Sequence, residues 1–203
     1  LEVIMENFII KLAEQYFEIC PVCDYIREYC KDYIVDHAVA AKLADGSVET
    51  PCHRIGISRS DIDFEREKSA REDIKEGIPI RQFSDAYLET LAVYRKIADH
   101  LVSCDTLLFH GSVIAVDGEG YLFTAKSGTG KSTHTRLWRE YFGERAVMVN
   151  DDKPLLHITD SGVTAYGTPW DGKHRLSTNT AVPLKGICIL TRDITNHIEQ
   201  AEP

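Results

Sequence analysis

The clearest pattern in the chain is an apolar stripe at helical spacing, formed by Tyr87, Leu88, Leu91, Ala92, Tyr94, Ile97, Ala98, Leu101 and Val102. Ser84 or Asp85 stands where a capping oxygen is needed, so the stripe predicts a helix over 84–104. The period then shortens. Two apolar runs, 112–116 and 121–125, flank Asp117-Gly118-Glu119-Gly120 and predict an antiparallel hairpin. A helix over 131–142, a strand over Ala146–Asn150 and a buried strand over Leu184–Leu190 follow.

The first half is less decided. Ile4, Phe8, Leu12 and Tyr16 recur as on a helix, whereas Phe8, Ile10 and Leu12 also alternate as on a strand. Residues 25–35 fit a short helix or a strand pair, and Asp45-Gly46-Ser47 reads as a turn between two strands. The stretch Asp61–Glu76 is densely charged, with Glu67 and Lys68 each one helical turn before an opposite charge, at Arg71 and Glu72. It reads as a solvated helix or loop face.

Composition narrows the function. A chain of 203 residues with 43% hydrophobic residues can bury one sizeable core, or one core and a small lobe. A net charge of -9 argues against a nucleic-acid or anionic-lipid binder that works by overall charge. No apolar run has the length of a membrane helix and the N-terminus lacks signal-peptide features, so the expected location is the cytoplasm. The six cysteines are scattered and read as reduced thiols. Cys20, Cys23, Cys30 and Cys52, with His53, hold the ligand types of a zinc site, but only Cys20 and Cys23 have close ligand spacing, and buried thiols serve as small hydrophobes.

The densest chemistry follows the hairpin. Ala125-Lys126-Ser127-Gly128-Thr129-Gly130-Lys131-Ser132 matches the P-loop pattern G-x-x-x-x-G-K-[ST] except for Ala125 at the first position. In such a loop the glycines let backbone N–H groups turn inward, the lysine reaches the β- and γ-phosphates, and the serine hydroxyl meets Mg2+. A following helix adds its positive N-terminal end. Asp151 and Asp152 close the strand over 146–150. A helix of about twelve residues carries the chain roughly 18 Å away and a five-residue strand returns about 16 Å, so the two carboxylates end near the loop. One can hold Mg2+ while the other takes the proton of an attacking hydroxyl. Farther on, 166–175 gathers Trp170, Asp171, Lys173, His174 and Arg175 beside turn glycines, as in a loop that closes over nucleotide or substrate. Lys173 or Arg175 is suited to stabilising charge on a transferred phosphoryl group. His134 and His174 have no ligand partner at metal spacing.

In order and spacing, Phe109-His110-Gly111, the strand pair, the loop and Val149-Asn150-Asp151-Asp152 resemble the catalytic domain of HPr kinase/phosphorylase, whose fold is shared with the ATP-dependent phosphoenolpyruvate carboxykinases. The resemblance covers about 105–192. It implies an α/β protein with a mixed-sheet P-loop core of that type over 84–203; the mixed texture of 1–83 separately leads to the expectation of a small α+β lobe before it. It also implies ATP and Mg2+ as cofactors and a hydroxyl as phosphoryl acceptor, on a small molecule, a peptide or a protein serine. Ser127, Gly128, Thr129, Gly130, Lys131, Ser132 and Thr133 would hold the nucleotide, with Ser132 and Asp152 at the metal. Asp151 would be the general base and His110 a conformational or γ-phosphate neighbour. The glutamate-arginine-glycine signature of the bacterial enzymes is missing after the core, which argues against HPr itself as acceptor. Two further readings stand beside the kinase: an ATP-binding regulatory protein that transfers nothing, and a carboxykinase-like enzyme. The second is short of chain and lacks a lysine and histidine pair for the additional transition metal. A homo-oligomer is compatible with all three.

Overall fold

The computed structural model describes residues 5–126, 128–172 and 174–201. The ambiguous N-terminus is a hairpin, β1 (Phe8–Leu12) and β2 (Gln15–Cys20), turned at Ala13 and Glu14, both at positive φ. Alternation wins over helical spacing because Phe8, Ile10, Leu12, Phe17 and Ile19 all enter the core while their neighbours face outward. A short helix α1 (Tyr25–Tyr29) and a 3-10 turn (Lys31–Tyr33) follow, and Ile34 then bridges to Ile10.

Three sequence expectations change. The turn at Asp45-Gly46-Ser47 does not join two strands: the segment before it is helix α2 (His37–Ala44), started by the Asp36 carboxylate accepting the Val39 N–H, and only β3 (Cys52–Gly56) follows as a strand. The charged stretch is helix α3 (Arg59–Glu76), opened by a Ser58–Asp61 capping box, but its acidic residues are not simply solvated. Glu65 and Asp73 are buried, because α3 packs its charges on α4 (Asp85–Leu101) and on Arg81: Arg95 Nε meets Glu65 at 2.5 Å, Lys96 Nζ meets Asp61 at 2.8 Å and Arg81 Nη2 meets Asp73 at 2.6 Å. Burial opposes ionisation of Asp61, yet the Lys96 ammonium and the Ser58 cap hold its carboxyl well below the usual carboxylate range. The third change is the late strand, considered below.

Helix α4 carries the predicted stripe inward and is capped by Ser84 Oγ. A 3-10 turn, Val102–Cys104, ends it. Then come β4 (Thr106–Leu108), the hairpin β5 (Ser112–Val116) and β6 (Glu119–Thr124), α5 (Lys131–Phe142), β7 (Ala146–Asn150), β8 (Leu155–Thr159), β9 (Gly162–Tyr166) and β10 (Ala181–Ile189). These strands form a seven-stranded sheet in the order β4-β8-β9-β10-β6-β5-β7. It is mixed: β10 runs parallel to β6, and the other pairs are antiparallel. A second, three-stranded sheet of order β1-β2-β3 is also mixed, with β2 parallel to β3. The protein is therefore mixed α/β with mixed sheets.

The strand expected to be buried over 184–190 is not. β10 has strand neighbours on both sides, but its outward face is open, with Ile187 and Ile189 exposed, so the apolar run reflects half-covered strand rather than core. One hydrophobic cluster joins the sheets, taking Phe8, Ile10, Phe17 and Ile19 from the first hairpin together with Val93, Ile97 and Leu101 of α4, Leu155 of β8 and Trp170. Trp170 stacks on Tyr94 at 4.2 Å between centroids and donates its indole N–H to Thr90 O at 2.7 Å. None of the described helices is long and apolar enough to cross a membrane.

Candidate functional site

Strand β6 ends at Thr124 and α5 begins at Lys131, so the glycine-rich loop spans the gap between a strand end and a helix start. Gly128 (φ 75°) and Gly130 (φ 123°) take backbone conformations that a side chain would strain, which explains glycine at these two positions. No side chain among the described residues caps α5. The first-turn groups of that helix, Lys131, Ser132 and Thr133, face a cleft of about 840 Å3, within the usual range for small-ligand sites. Lys131 Nζ rests 3.2 Å from Ala125 O, and Arg192 Nη2 donates to Gly128 O at 2.6 Å, tying the loop to the segment after β10.

The carboxylates arrive from β7. Asn150, fully buried at the strand end, organises them: its Oδ1 accepts the N–H of Asp152 (2.9 Å) and of Lys153 (2.6 Å), while its Nδ2 donates to Thr168 O and Oγ1 at 3.2 and 3.0 Å. One amide thereby locks the turn after the strand to the segment 168–170. Ser112 Oγ donates to Asp151 O at 2.9 Å, and Tyr94 Oη donates to Lys153 O at 2.8 Å, so core elements hold the same turn from beneath. Asp151 is buried and accepts the N–H of Gly172. A Cβ at residue 172 would lie 2.6 Å from Asp151 Oδ2, so close approach, not φ, requires this glycine. Asp152 is more open and lies 3.3 Å from His110 Nε2.

The cleft thus gathers His110, Gly128, Gly130, Lys131, Ser132, Thr133, Asp151, Asp152 and Arg175. Thr129 is not among its lining residues; its N–H donates to Lys126 O at 3.2 Å. Ser127 and Lys173 lie outside the described residues. His134 turns away, packing 4.5 Å from Phe123 and accepting the Trp138 indole N–H, and burial pulls its imidazole below the ordinary value. His174 does line the cleft. Trp170 packs beneath the 166–175 loop, as an ordinary surface loop would have it, while Asp171, Gly172, His174 and Arg175 of the same loop border the cleft.

Sequence reasoning passed over part of this site. Tyr25, Tyr29, Arg81 and Tyr87 close the cleft from the other side. The turn-of-helix spacing of Tyr25 and Tyr29 was the only available signal; nothing in the local sequence marks Arg81, which stands in an extended stretch and pairs with Asp73 through its N–H, Nε and Nη2. The Asp171 side chain is almost wholly covered although the residue is only half-buried, and burial pushes its carboxyl above the ordinary value, against the lowering effect of the Ser177 N–H and Arg175. Arg175, at φ 50°, lays its guanidinium 4.2 Å from the centroid of the Tyr29 ring.

The cysteines stay apart: Cys30 is buried, Cys52 is exposed, and Cys20 Sγ accepts from Arg54 Nε. Burial, followed by the nearby Glu89 carboxylate, pushes the Cys23 thiol up to about 11. Among the described residues no three His, Cys, Asp or Glu side chains gather as a metal cluster. The oxygen donors of Ser132 and Asp152, facing one cleft, nevertheless fit Mg2+, which characteristically takes one or two protein oxygens and completes its shell with phosphates and water. No family model matches the chain, and no curated protein is significantly similar to it.

Proposed function

We propose that the protein is an ATP- and Mg2+-dependent kinase of the HPr kinase-like type, with a P-loop at 125–132, transferring the γ-phosphoryl group to a hydroxyl acceptor. The observation that carries this reading is the meeting, in one cleft, of the glycine-rich loop and first turn of α5 with the paired carboxylates that end β7. Entry into the loop from the antiparallel β5–β6 hairpin of a mixed sheet supports the HPr kinase and carboxykinase group over P-loop proteins built on parallel sheets.

In the mechanism, the loop N–H groups and Lys131 bind the β- and γ-phosphates, aided by the positive end of α5. Ser132 and Asp152 would hold Mg2+, which when bound neutralises phosphate charge. Asp151 accepts the proton of the acceptor hydroxyl as its oxygen forms a bond to the γ-phosphorus, and the bond to the leaving ADP oxygen breaks. The Gly172 N–H keeps that carboxylate in place, and Asn150 holds the turn that follows it. Arg175 orders the rim through Tyr29 and Asp171 and lines the same cleft, where its charge would stabilise the transferred group.

Calorimetric titration with Mg·ATP tests the reading. Wild type should bind, Lys131→Ala should lose binding, and Asp151→Asn should bind but lose acceptor-dependent ADP release. Absence of binding by wild type would end the kinase reading, and binding without transfer to any acceptor would favour the regulatory one.

A further inference from the structure

Beside the phosphate cleft lies a second cavity of about 450 Å3, between α1 with its 3-10 turn and the segment 168–177. The two share Tyr25, Tyr29, Asp171 and Arg175, so they adjoin across these side chains. Among the described residues, three that line the second cavity carry a buried polar atom without a hydrogen-bond partner: Tyr33 Oη, Asp171 Oδ1 and Ser177 Oγ. Tyr33 is only 6% exposed and the Asp171 side chain 5%. Arg175 Nε is 3.4 Å from Asp171 Oδ1, a charge contact without hydrogen-bond geometry. Leaving such a group unpaired costs about 1–3 kcal/mol, and orphaned atoms grouped at one cavity are the expected mark of a ligand that pairs with them.

Their chemistry selects the ligand. Asp171 needs a donor. The Tyr33 and Ser177 hydroxyls each need an acceptor for their own proton and can take a donor as well. An ammonium group satisfies Asp171 but accepts nothing. A carboxylate accepts from the hydroxyls and is attracted by Lys31 and Arg175, but Asp171, Glu28 and Asp32 of the same lining outnumber them and repel it. A hydroxyl does both, and adjacent hydroxyls on one small frame reach the whole set. Tyr25 and Tyr29, tilted at 58° with centroids 5.7 Å apart, supply an apolar wall of the kind that ring C–H groups pack against.

The geometry points to this cavity as the acceptor subsite, built for a small polyhydroxylated molecule, a cyclic polyol or single sugar, whose phosphorylated hydroxyl reaches the phosphate cleft past Asp171 and Arg175. As an acceptor subsite it rests on the kinase reading; as a polyol site it stands alone. During transfer the polyol oxygen gains the phosphoryl group, its proton leaves to Asp151, and ADP departs.

Saturation-transfer NMR on the full chain tests it with myo-inositol, D-glucose and glycerol as probes, beside L-serine and a short serine peptide. Inositol or glucose should bind wild type, with affinity reduced at least about tenfold in Tyr33→Phe and in Asp171→Asn. Tyr33→Phe removes an unpaired buried hydroxyl and should melt no lower than wild type while keeping Mg·ATP affinity. No binding by inositol or glucose overturns the proposal, as does binding that is indifferent to Tyr33→Phe, or preference for serine or the peptide. Polyol binding through Tyr33 without any Mg·ATP binding would keep the polyol site and remove the kinase. Transfer to the peptide, unaffected by Tyr33→Phe, would do the reverse.

Discussion

Truncation of Asn150 offers the most direct test of how the site is held. Asn150→Ala removes the acceptor for the N–H groups of Asp152 and Lys153 and the donor to Thr168 O and Oγ1. Residues 152 and 153 are half-buried, so water can reach part of what is exposed, whereas Thr168 is fully buried. Counting about 1–3 kcal/mol for each buried group left unpaired, and allowing solvation of the outer ones, the loss is about 3 kcal/mol. For a chain of this size that corresponds to a fall in Tm of roughly 6–12 °C. Urea denaturation with a common m-value gives the number directly. Thr178→Val is the control: it also deletes a side-chain bond to β7, from Thr178 Oγ1 to Met148 O at 2.8 Å, but at an exposed residue, and should cost no more than about 1 kcal/mol. If Asn150→Ala costs no more than the control, the amide does not organise the turn and the account of how Asp151 and Asp152 are placed is wrong.

Three other expectations can be checked alongside. Gly172→Ala pushes a methyl group against the Asp151 carboxylate and should lower acceptor-dependent turnover by about a hundredfold, as for an approximately 1 Å misplacement of a reacting group, with Mg·ATP affinity retained; turnover within about twofold of wild type would contradict the role given to Asp151. Trp170→Ala should cost about 3–5 kcal/mol and speed amide hydrogen exchange in β1 and β2 as well as in 168–172, because the indole fills the cluster all of them share; faster exchange at 168–172 alone would deny that shared core. His53, whose ring lies 3.7 Å from that of His100, is held below its ordinary value of 6.5 by burial and then by His100, so the folded state resists its protonation. The unfolded chain takes up the proton first as pH falls, so Tm should begin to drop near about pH 7.5 and keep falling until the folded imidazole also takes up its proton, and His53→Gln should flatten that slope.

Sequence patterns served well where local physics decides. The stripe on α4, the hairpin β5–β6, the helix after the glycine-rich loop and the strand ending in Asn150 each follow from a period and a boundary signal carried within the segment. They failed where neighbours decide. The carboxylates of α3 turn inward because Arg95, Lys96 and Arg81 wait for them, which no window within the helix can reveal. β10 keeps an open face despite its apolar run. The hairpin β8–β9 went unread although Asp160-Ser161-Gly162 marks its turn. At the site, the loop and the aspartates announce themselves through residue type, whereas Arg81, Tyr25, Tyr29 and the bracing by Asn150 become visible only when distant elements meet.

The reach of the first hydrophobic cluster has a consequence for biosynthesis. β1 and β2 are made before α4, Leu155 and Trp170, yet the core beneath them needs all three before it is complete. While the chain emerges from the ribosome, a hairpin carrying Phe8, Ile10, Phe17 and Ile19 must wait with its apolar face only partly covered, by Ile26, Tyr33 and Ile55, until residue 170 has been synthesised. Slow translation or stalling within 105–165 should therefore make the nascent chain a substrate for chaperones that hold exposed hydrophobic strands, and the arrival of Trp170 is the event that releases it.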